Sequence, residues 1–402
     1  MENLNRSTTE IKKNLPLKVI QFGEGNFLRA FVNYIIEKLN ADAGYNAGVV
    51  VVQPIAQGMV EMLNDQDGLY HLFMKGLKNG KEIEEKRLIT NIQEGIDPYK
   101  DYDAYLDLAK EEELSLLVSN TTEAGIAFDA QDILDNFPHK TFPAKVTALL
   151  YKRFQHFKGA EDKGLTIIPC ELINNNADTL KEIILKYAQL WKLEIGFVKW
   201  IEKHNSFHNT LVDRIVPGYP KDEIESYQSQ LEFKDNLIVS AEVFLLWVIE
   251  GGKELKEKIP FDQIDENILI VEDMQPYRTR KVRILNGAHT VMVPFSLMYG
   301  NETVKQTIDN EFTGEFIKNT VFEEINKTLD LSEKELSTFA SEVFDRFRNP
   351  FIKHQLVSIA LNSVSKFKVR VLLLNTPDAE DDMRCGILRL ARTLIHKRNP
   401  GS

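Results

Sequence analysis

The sequence predicts an α/β protein: a doubly wound, mostly parallel sheet followed by a mainly helical domain. Three observations predict it. Short apolar runs alternate with amphipathic helical stretches from Leu17 to Cys170. A glycine turn, Gly23-Glu24-Gly25, joins the first apolar run to the first helix. From Tyr277 onward the apolar periodicity is mostly helical.

Leu17 to Phe22 reads as a buried strand, and Asn26 to Leu39 as a helix with Phe27, Phe31, Tyr34, Ile35 and Leu39 on one side. Val49 to Val52 is the second strand, which completes a βαβ unit. Leu69–Gly76 and Arg87–Ile92 are strands around a Lys-Asn-Gly-Lys turn at 78–81. Tyr102–Glu113 is a helix, Ser115–Val118 a strand, Ala144–Phe157 a helix and Leu165–Cys170 a strand. Leu180–Trp200 is helical, and the β-rich runs of Leu237–Ile249 are candidates to extend the sheet. Helices are expected over 285–298, 311–328, 332–347 and 350–366. A boundary near residue 272 divides the chain into a dinucleotide-binding domain, 1–272, and a helical substrate and catalytic domain, 273–402.

Composition narrows the function classes. A formal charge of −11 argues against nucleic acid as a main partner, because binding phosphates needs a basic surface. No apolar run reaches the roughly 18–20 residues that span a bilayer, and the polar stretch Met1–Leu15 is not a signal peptide. Two cysteines, Cys170 and Cys385, make neither a disulfide framework nor a zinc site, and a reduced, cytoplasmic enzyme is expected. Cys170, in an apolar strand, reads as packing. His204, His208 and His354 show no metal-ligand spacing, so no catalytic metal is expected.

Gly23-x-Gly25 stands after a strand and before a helix, where a Rossmann-type dinucleotide turn belongs. The first glycine permits the tight turn, and the second lets backbone amides approach a pyrophosphate. Leu28 occupies the third glycine position. The second strand ends in Gln53-Pro54, with neither an acid for the ribose hydroxyls nor an arginine for a 2′-phosphate. NAD is therefore preferred, with NADP still open. Ser119 to Gly125 follows another strand end, where ligands bind in such sheets; taken alone it reads first as a polar loop capping a helix.

Oxidising an alcohol with a nicotinamide cofactor needs a base for the hydroxyl proton and donors for the developing oxyanion. Lys281, Asn286 and His289 suit these roles. On a helix Asn286 and His289 are neighbours of one face, Lys281 swings back from farther round, and Gly287 keeps the surface between them low. The same residues also make an ordinary polar helix start. One of Asn174, Asn175 and Asn176 is a candidate second oxyanion donor, although such a triplet is also a helix cap. Asp213–Arg214, among apolar residues, reads as a structural ion pair, or Asp213 orients Lys281.

Four segments in order along the chain resemble the polyol-specific long-chain dehydrogenases, the mannitol dehydrogenase family. They are Gly23-Glu-Gly-Asn-Phe-Leu-Arg-Ala-Phe31, Ser119-Asn-Thr-Thr-Glu-Ala-Gly125, Phe207-x-Asn209-Thr-Leu-Val-Asp213-Arg214-Ile-Val-Pro217 and Lys281-x4-Asn286-x2-His289. The wording QFGEGNFLRAF at 21–31, PCELI at 169–173, WVIEG at 247–251 and RFRNPFIKHQLVSIALNSVSKFKVRVL at 346–372 is similar to the branch acting on altronate and tagaturonate.

The resemblance implies a metal-independent, NAD-dependent enzyme interconverting a hexonate alcohol and a keto-hexuronate. Fructuronate reductase activity, mannitol 2-dehydrogenase activity and a non-catalytic NAD-binding protein are the alternatives. It implies Lys281 as general base, Asn286 and His289 on the reacting oxygen, and Asn176 completing the oxyanion site. Gly23, Gly25, Phe27 and Arg29 would lie along the cofactor, with Asn120, Thr121 and Glu123 nearby. Arg346 is the candidate for a substrate carboxylate, with Lys353, His354 and Lys366 behind it. A small sugar acid or polyol is the expected partner, with no nucleic acid or membrane and the oligomeric state left open. The likeness stops near Leu373, and the C-terminal domain is expected to be incomplete and less stable for it.

Overall fold

The computed structural model describes residues 1–12, 14–122, 124–360, 366, 370 and 371. The chain forms two compact units. The first takes Met1–Met74 and Glu84–Met274, and the second takes Lys75–Ile83 and the residues from Gln275 on.

The first unit is built on a six-stranded sheet. Its strands are β1 (Leu17–Phe22), β2 (Gly48–Val52), β5 (Ile92–Ile96), β6 (Leu116–Ser119), β7 (Thr166–Pro169) and β8 (Ser206–Phe207). They lie in the order β5-β2-β1-β6-β7-β8, and every neighbouring pair is parallel. This is the doubly wound dinucleotide order, with its switch point between β1 and β6.

Both faces of the sheet are covered, which is why its strands read as unbroken apolar runs. Val19, Val49, Val51, Leu116 and Val118 enter one core, with Phe31, Ile35 and Trp247. Ile20, Phe22, Val50, Val52 and Leu117 enter the other, with Phe142, Leu149 and Ile184. The alternation is the two-residue period of a strand.

Two small sheets carry the remaining strands: β3 (Tyr70–Lys78), β4 (Lys81–Ile89) and β10 (Val239–Glu242) in the order β10-β3-β4, and β9 (Thr210–Asp213), β11 (Leu246–Glu250) and β12 (Ile268–Val271) in the order β12-β11-β9. The runs in Leu237–Ile249 therefore do not extend the main sheet; they split between these two. The strand expected over 87–92 is also two strands. The Glu37 carboxylate takes the amides of Thr90 and Asn91, which interrupts the chain between β4 and β5. Asn79 and Gly80, both at positive φ, close the β3–β4 hairpin.

Three expected helices are interrupted. The first breaks at Phe31 into Asn26–Ala30 and Val32–Asp42. The stretch 180–200 becomes Asn176–Leu190 and Ile195–His204, because Lys192 adopts φ 54° and the Leu193 amide turns back to the Ala188 carbonyl. Within 350–366 helix begins only at Leu356: Leu356–Ile359 and Lys366 are helical, and 361–365 lie outside the described residues. An Asn349-Pro350 stop precedes it, and bonds from the Val304 amide to the His354 carbonyl and from the Leu356 amide to the Glu302 carbonyl hold the backbone extended. The second unit's longer helices are Gly287–Tyr299, Glu311–Asn319 and Glu333–Arg348. Among the described residues no helix is long and apolar enough to cross a membrane.

Candidate active site

The turn after β1 is shaped by Gly23. Its φ is 118°, and a Cβ there would stand 3.0 Å from the Asn120 carbonyl oxygen and 3.1 Å from Leu28 Cδ1. Gly25 is the opposite case: it is exposed, with nothing within 4 Å of a Cβ, and it caps helix Asn26–Ala30 without any side-chain hydrogen bond. The first amides of that helix are thus open to an anion, which fits a dinucleotide pyrophosphate. Leu28, in place of the third glycine, is buried and packs the helix onto the strand through its side chain.

Phe27 is half-buried, stacked on Phe31 at 5.0 Å. Arg29 corrects an expectation. Its guanidinium is 1% exposed and donates to the carbonyls of Glu24 and Leu237 and to Asn26 Oδ1, under the Tyr70 ring. It braces the turn from below, with its guanidinium engaged by protein groups.

At the end of β2, Gln53 is 3% exposed, and its amide donates to the carbonyls of Ile55 and Ala56. Glu24, the middle residue of the turn, reaches the same place. Its Oε1 accepts the Met59 amide at 3.3 Å. A Cβ on Gly58 would meet Glu24 Oε1 at 2.2 Å and Gln53 Oε1 at 2.4 Å. Burial raises the Glu24 carboxyl above its usual range.

Across the switch point, the loop after β6 is held by Glu171, which sequence reasoning did not single out. Its Oε1 accepts the amide and hydroxyl of Thr121, and its Oε2 accepts the Ser119 hydroxyl. Asn120 Nδ2 donates to the Cys170 carbonyl at 2.6 Å. A cavity of about 350 Å³ opens here, lined by Asn120, Thr122, Ala124 and Leu172. Burial raises the Glu171 carboxyl. Glu123 lies outside the described residues. An acid directly following an apolar strand was the signal for Glu171.

Asn176 is another correction. It is fully buried, and its Nδ2 donates to the carbonyls of Pro169 and Glu171 and to the Thr210 hydroxyl. Its Oδ1 accepts the amides of Ala177 and Thr210. No donor is left for a substrate oxygen. Asn209 caps the same helix from a distance, through the amides of Ala177 and Asp178. Arg214 donates to the carbonyls of Glu242 and Ala30 and lies over the Tyr34 ring; those partners replace the expected bond to Asp213. Asp213 is half-buried at the end of β9. Cys170 is a free, buried thiol.

In the second unit, Lys281–Asn286 is a turn of π-helix running into helix Gly287–Tyr299. The Gly287 amide reaches back to the Val282 carbonyl, five residues away. In an α-helix residues five apart are about 140° round the axis; the wider turn closes that angle, so Lys281 and Asn286 approach one side. His289 follows three residues later on the α-helix, half-buried. Gly287 is buried, and a Cβ there would make only ordinary contacts, the nearest 3.5 Å, so it does not act as a gap in the surface.

The His289 ring lies 4.6 Å from Phe347 and 5.0 Å from His354. Burial, and then the Arg346 charge, push the His354 imidazole below its usual range. Arg346, His354 and His289 thus form one cluster. Lys353 is exposed, and Lys366 Nζ donates to the Ile359 carbonyl. Among the described residues no group of His, Cys, Asp or Glu is placed to hold a metal ion.

Residues 17–263 match the model of the mannitol dehydrogenase Rossmann domain, and residues 273–382 that of the mannitol dehydrogenase C-terminal domain. The chain belongs to the mannitol dehydrogenase family. Within it, an altronate oxidoreductase of Bacillus subtilis (strain 168) is 49% identical over 372 residues, 92% of this chain and 77% of that relative. An altronate oxidoreductase of Yersinia enterocolitica is 47% identical over 373 residues, with the same coverage. Among solved structures, substrate-free D-sorbitol dehydrogenase superposes with a TM-score of 0.78 at 22% identity, covering 92% of this chain and 79% of that one. Pseudomonas fluorescens mannitol 2-dehydrogenase, solved with NAD and D-mannitol, gives a TM-score of 0.70 at 22% identity, covering 91% and 78%. At that identity the likeness is one of fold.

Proposed function

We propose that this member of the mannitol dehydrogenase family is an NAD-dependent oxidoreductase interconverting altronate and tagaturonate, a hexonate secondary alcohol and its keto-hexuronate. The observation that carries the reading is the 49% identity to an altronate oxidoreductase, and the backbone of a single π turn, with Lys281 and Asn286 at its two ends, supports it. NAD, when bound, would supply the acceptor for the hydride of the carbinol carbon. Lys281 takes the hydroxyl proton during oxidation and returns it during reduction. Asn286 and His289 donate to the oxygen as it gains charge. Gly23 and Gly25 shape the turn that would hold the pyrophosphate, and the Asn120–Thr122 loop would line the nicotinamide end. Arg346 is assigned the substrate carboxylate, which a neutral polyol lacks.

The test is NADH consumption by the full chain with tagaturonate, fructuronate and fructose. Tagaturonate is expected to give the highest kcat/KM, by at least tenfold. Arg346→Ala is expected to erase most of the preference for acids over fructose. Faster turnover of fructose than of either acid would overturn the assignment.

A further inference from the structure

Dinucleotide folds of this strand order commonly read the adenosine ribose with an acid at the end of the second strand. That position is Gln53 here, a neutral carboxamide already engaged with the carbonyls of Ile55 and Ala56. Yet an acid is present at that spot, brought from another part of the chain. Glu24 leaves the glycine turn and crosses to the end of β2, where its Oε1 meets the Met59 amide and crowds the same point over Gly58 as Gln53 Oε1.

Its charge is attracted by Arg29 and repelled by Asp97, without an ion pair. Among the described residues no ammonium or guanidinium forms an ion pair with Glu24, and its carboxylate is held by backbone amides, those of Met59 and of Glu24 itself. Arg29, the nearby cation, spends its Nε on the Glu24 backbone carbonyl. Asp97, following β5, adds a second negative charge to the same surroundings.

We propose that Glu24 is the specificity-determining residue for the cofactor: its carboxylate accepts from the adenosine ribose hydroxyls and repels a 2′-phosphate, so that the turn rather than the second strand selects NAD over NADP. The proposal rests on the reading of Gly23–Gly25 as a dinucleotide turn. A hydroxyl pair supplies side-on donors to a carboxylate that is otherwise met by backbone amides alone. A phosphate in its place carries nearly two negative charges and no donor, and it faces a carboxylate across a short distance.

The experiment is equilibrium binding of NADH and of NADPH, followed by nucleotide fluorescence, to the full chain and to Glu24→Gln and Glu24→Ser. Glutamine keeps the acceptor for the Met59 amide and removes the charge; serine removes both. The wild type is expected to bind NADH at least a hundredfold more tightly than NADPH. Both variants are expected to narrow that ratio at least tenfold, chiefly by tightening NADPH. A purely structural role would weaken both dinucleotides together and leave the ratio unchanged, which would overturn the proposal. Failure of the wild type to bind either nucleotide would instead remove the dinucleotide reading beneath it, and the proposal with it.

Discussion

Glu171 Oε1 accepts two hydrogen bonds from Thr121, from the amide at 3.0 Å and from the hydroxyl at 2.9 Å. One buried carboxylate thereby fixes the loop that lines the cavity at the switch point. Removing it strands three donors, each worth about 1–3 kcal/mol when left unsatisfied in the interior. Glu171→Leu is expected to lower the melting temperature and weaken NADH binding by about tenfold.

Glu171→Gln should behave differently. Its amide oxygen still accepts from Thr121, and the Ser119 hydroxyl turns to accept from the new NH2. Burial raises the Glu171 carboxyl in the folded state, so its contribution to stability is full at low pH and is lost as pH rises through that raised value. The glutamine variant is therefore expected to melt at or above the wild type at pH 8, with the advantage shrinking at pH 5. Thermal melts at both pH values check this; a glutamine variant as damaged as leucine contradicts it.

Asn209 holds the start of helix Asn176–Leu190 through the amides of Ala177 and Asp178 and also donates to Asp178 and Glu250. Asn209→Ala is expected to cost about 1–2 kcal/mol in denaturant unfolding, in the range of a lost helix cap. A change within about 0.5 kcal/mol, the size of an ordinary surface substitution, would remove this role.

Lys145 is fully buried, with its ammonium donating to the carbonyls of Pro54 and Lys140 and to the Tyr99 hydroxyl. Burial lowers its pKa to about 8. A folded-state value below the unfolded one means that stability from this group is gained as pH rises from about 8 towards 10.5 and is lost as pH falls through about 8. The difference in unfolding free energy between wild type and Lys145→Met should shift by up to about 3 kcal/mol across that window. A pH-independent difference would show that the ammonium stays charged throughout.

The parts legible in the sequence are those where backbone physics leaves little choice. Gly23 needs positive φ and room beside Asn120, so only glycine serves, and the alternating runs of β1 and β2 announce a sheet covered on both faces. Side-chain direction was not legible. Asn176 and Arg29 have the chemistry of site residues, but their polar atoms turn inward to carbonyls that only the fold brings near. Glu171 and Glu24 reach partners 50 and 35 residues away, separations that carry no local pattern. The π turn was equally hidden, because six residues of apolar periodicity do not distinguish a four-residue from a five-residue hydrogen-bond step.

The central claim is that Lys281 moves the proton in a tagaturonate-to-altronate reduction. It is tested most directly by the single-turnover rate of NADH oxidation with tagaturonate in wild type and Lys281→Ala, with NADH affinity measured alongside. Lys281→Ala is expected to lose about 10²–10⁴-fold in rate, the usual contribution of a general acid–base, with NADH affinity unchanged within about twofold. A Lys281→Ala enzyme that reduces tagaturonate at the wild-type rate would contradict it.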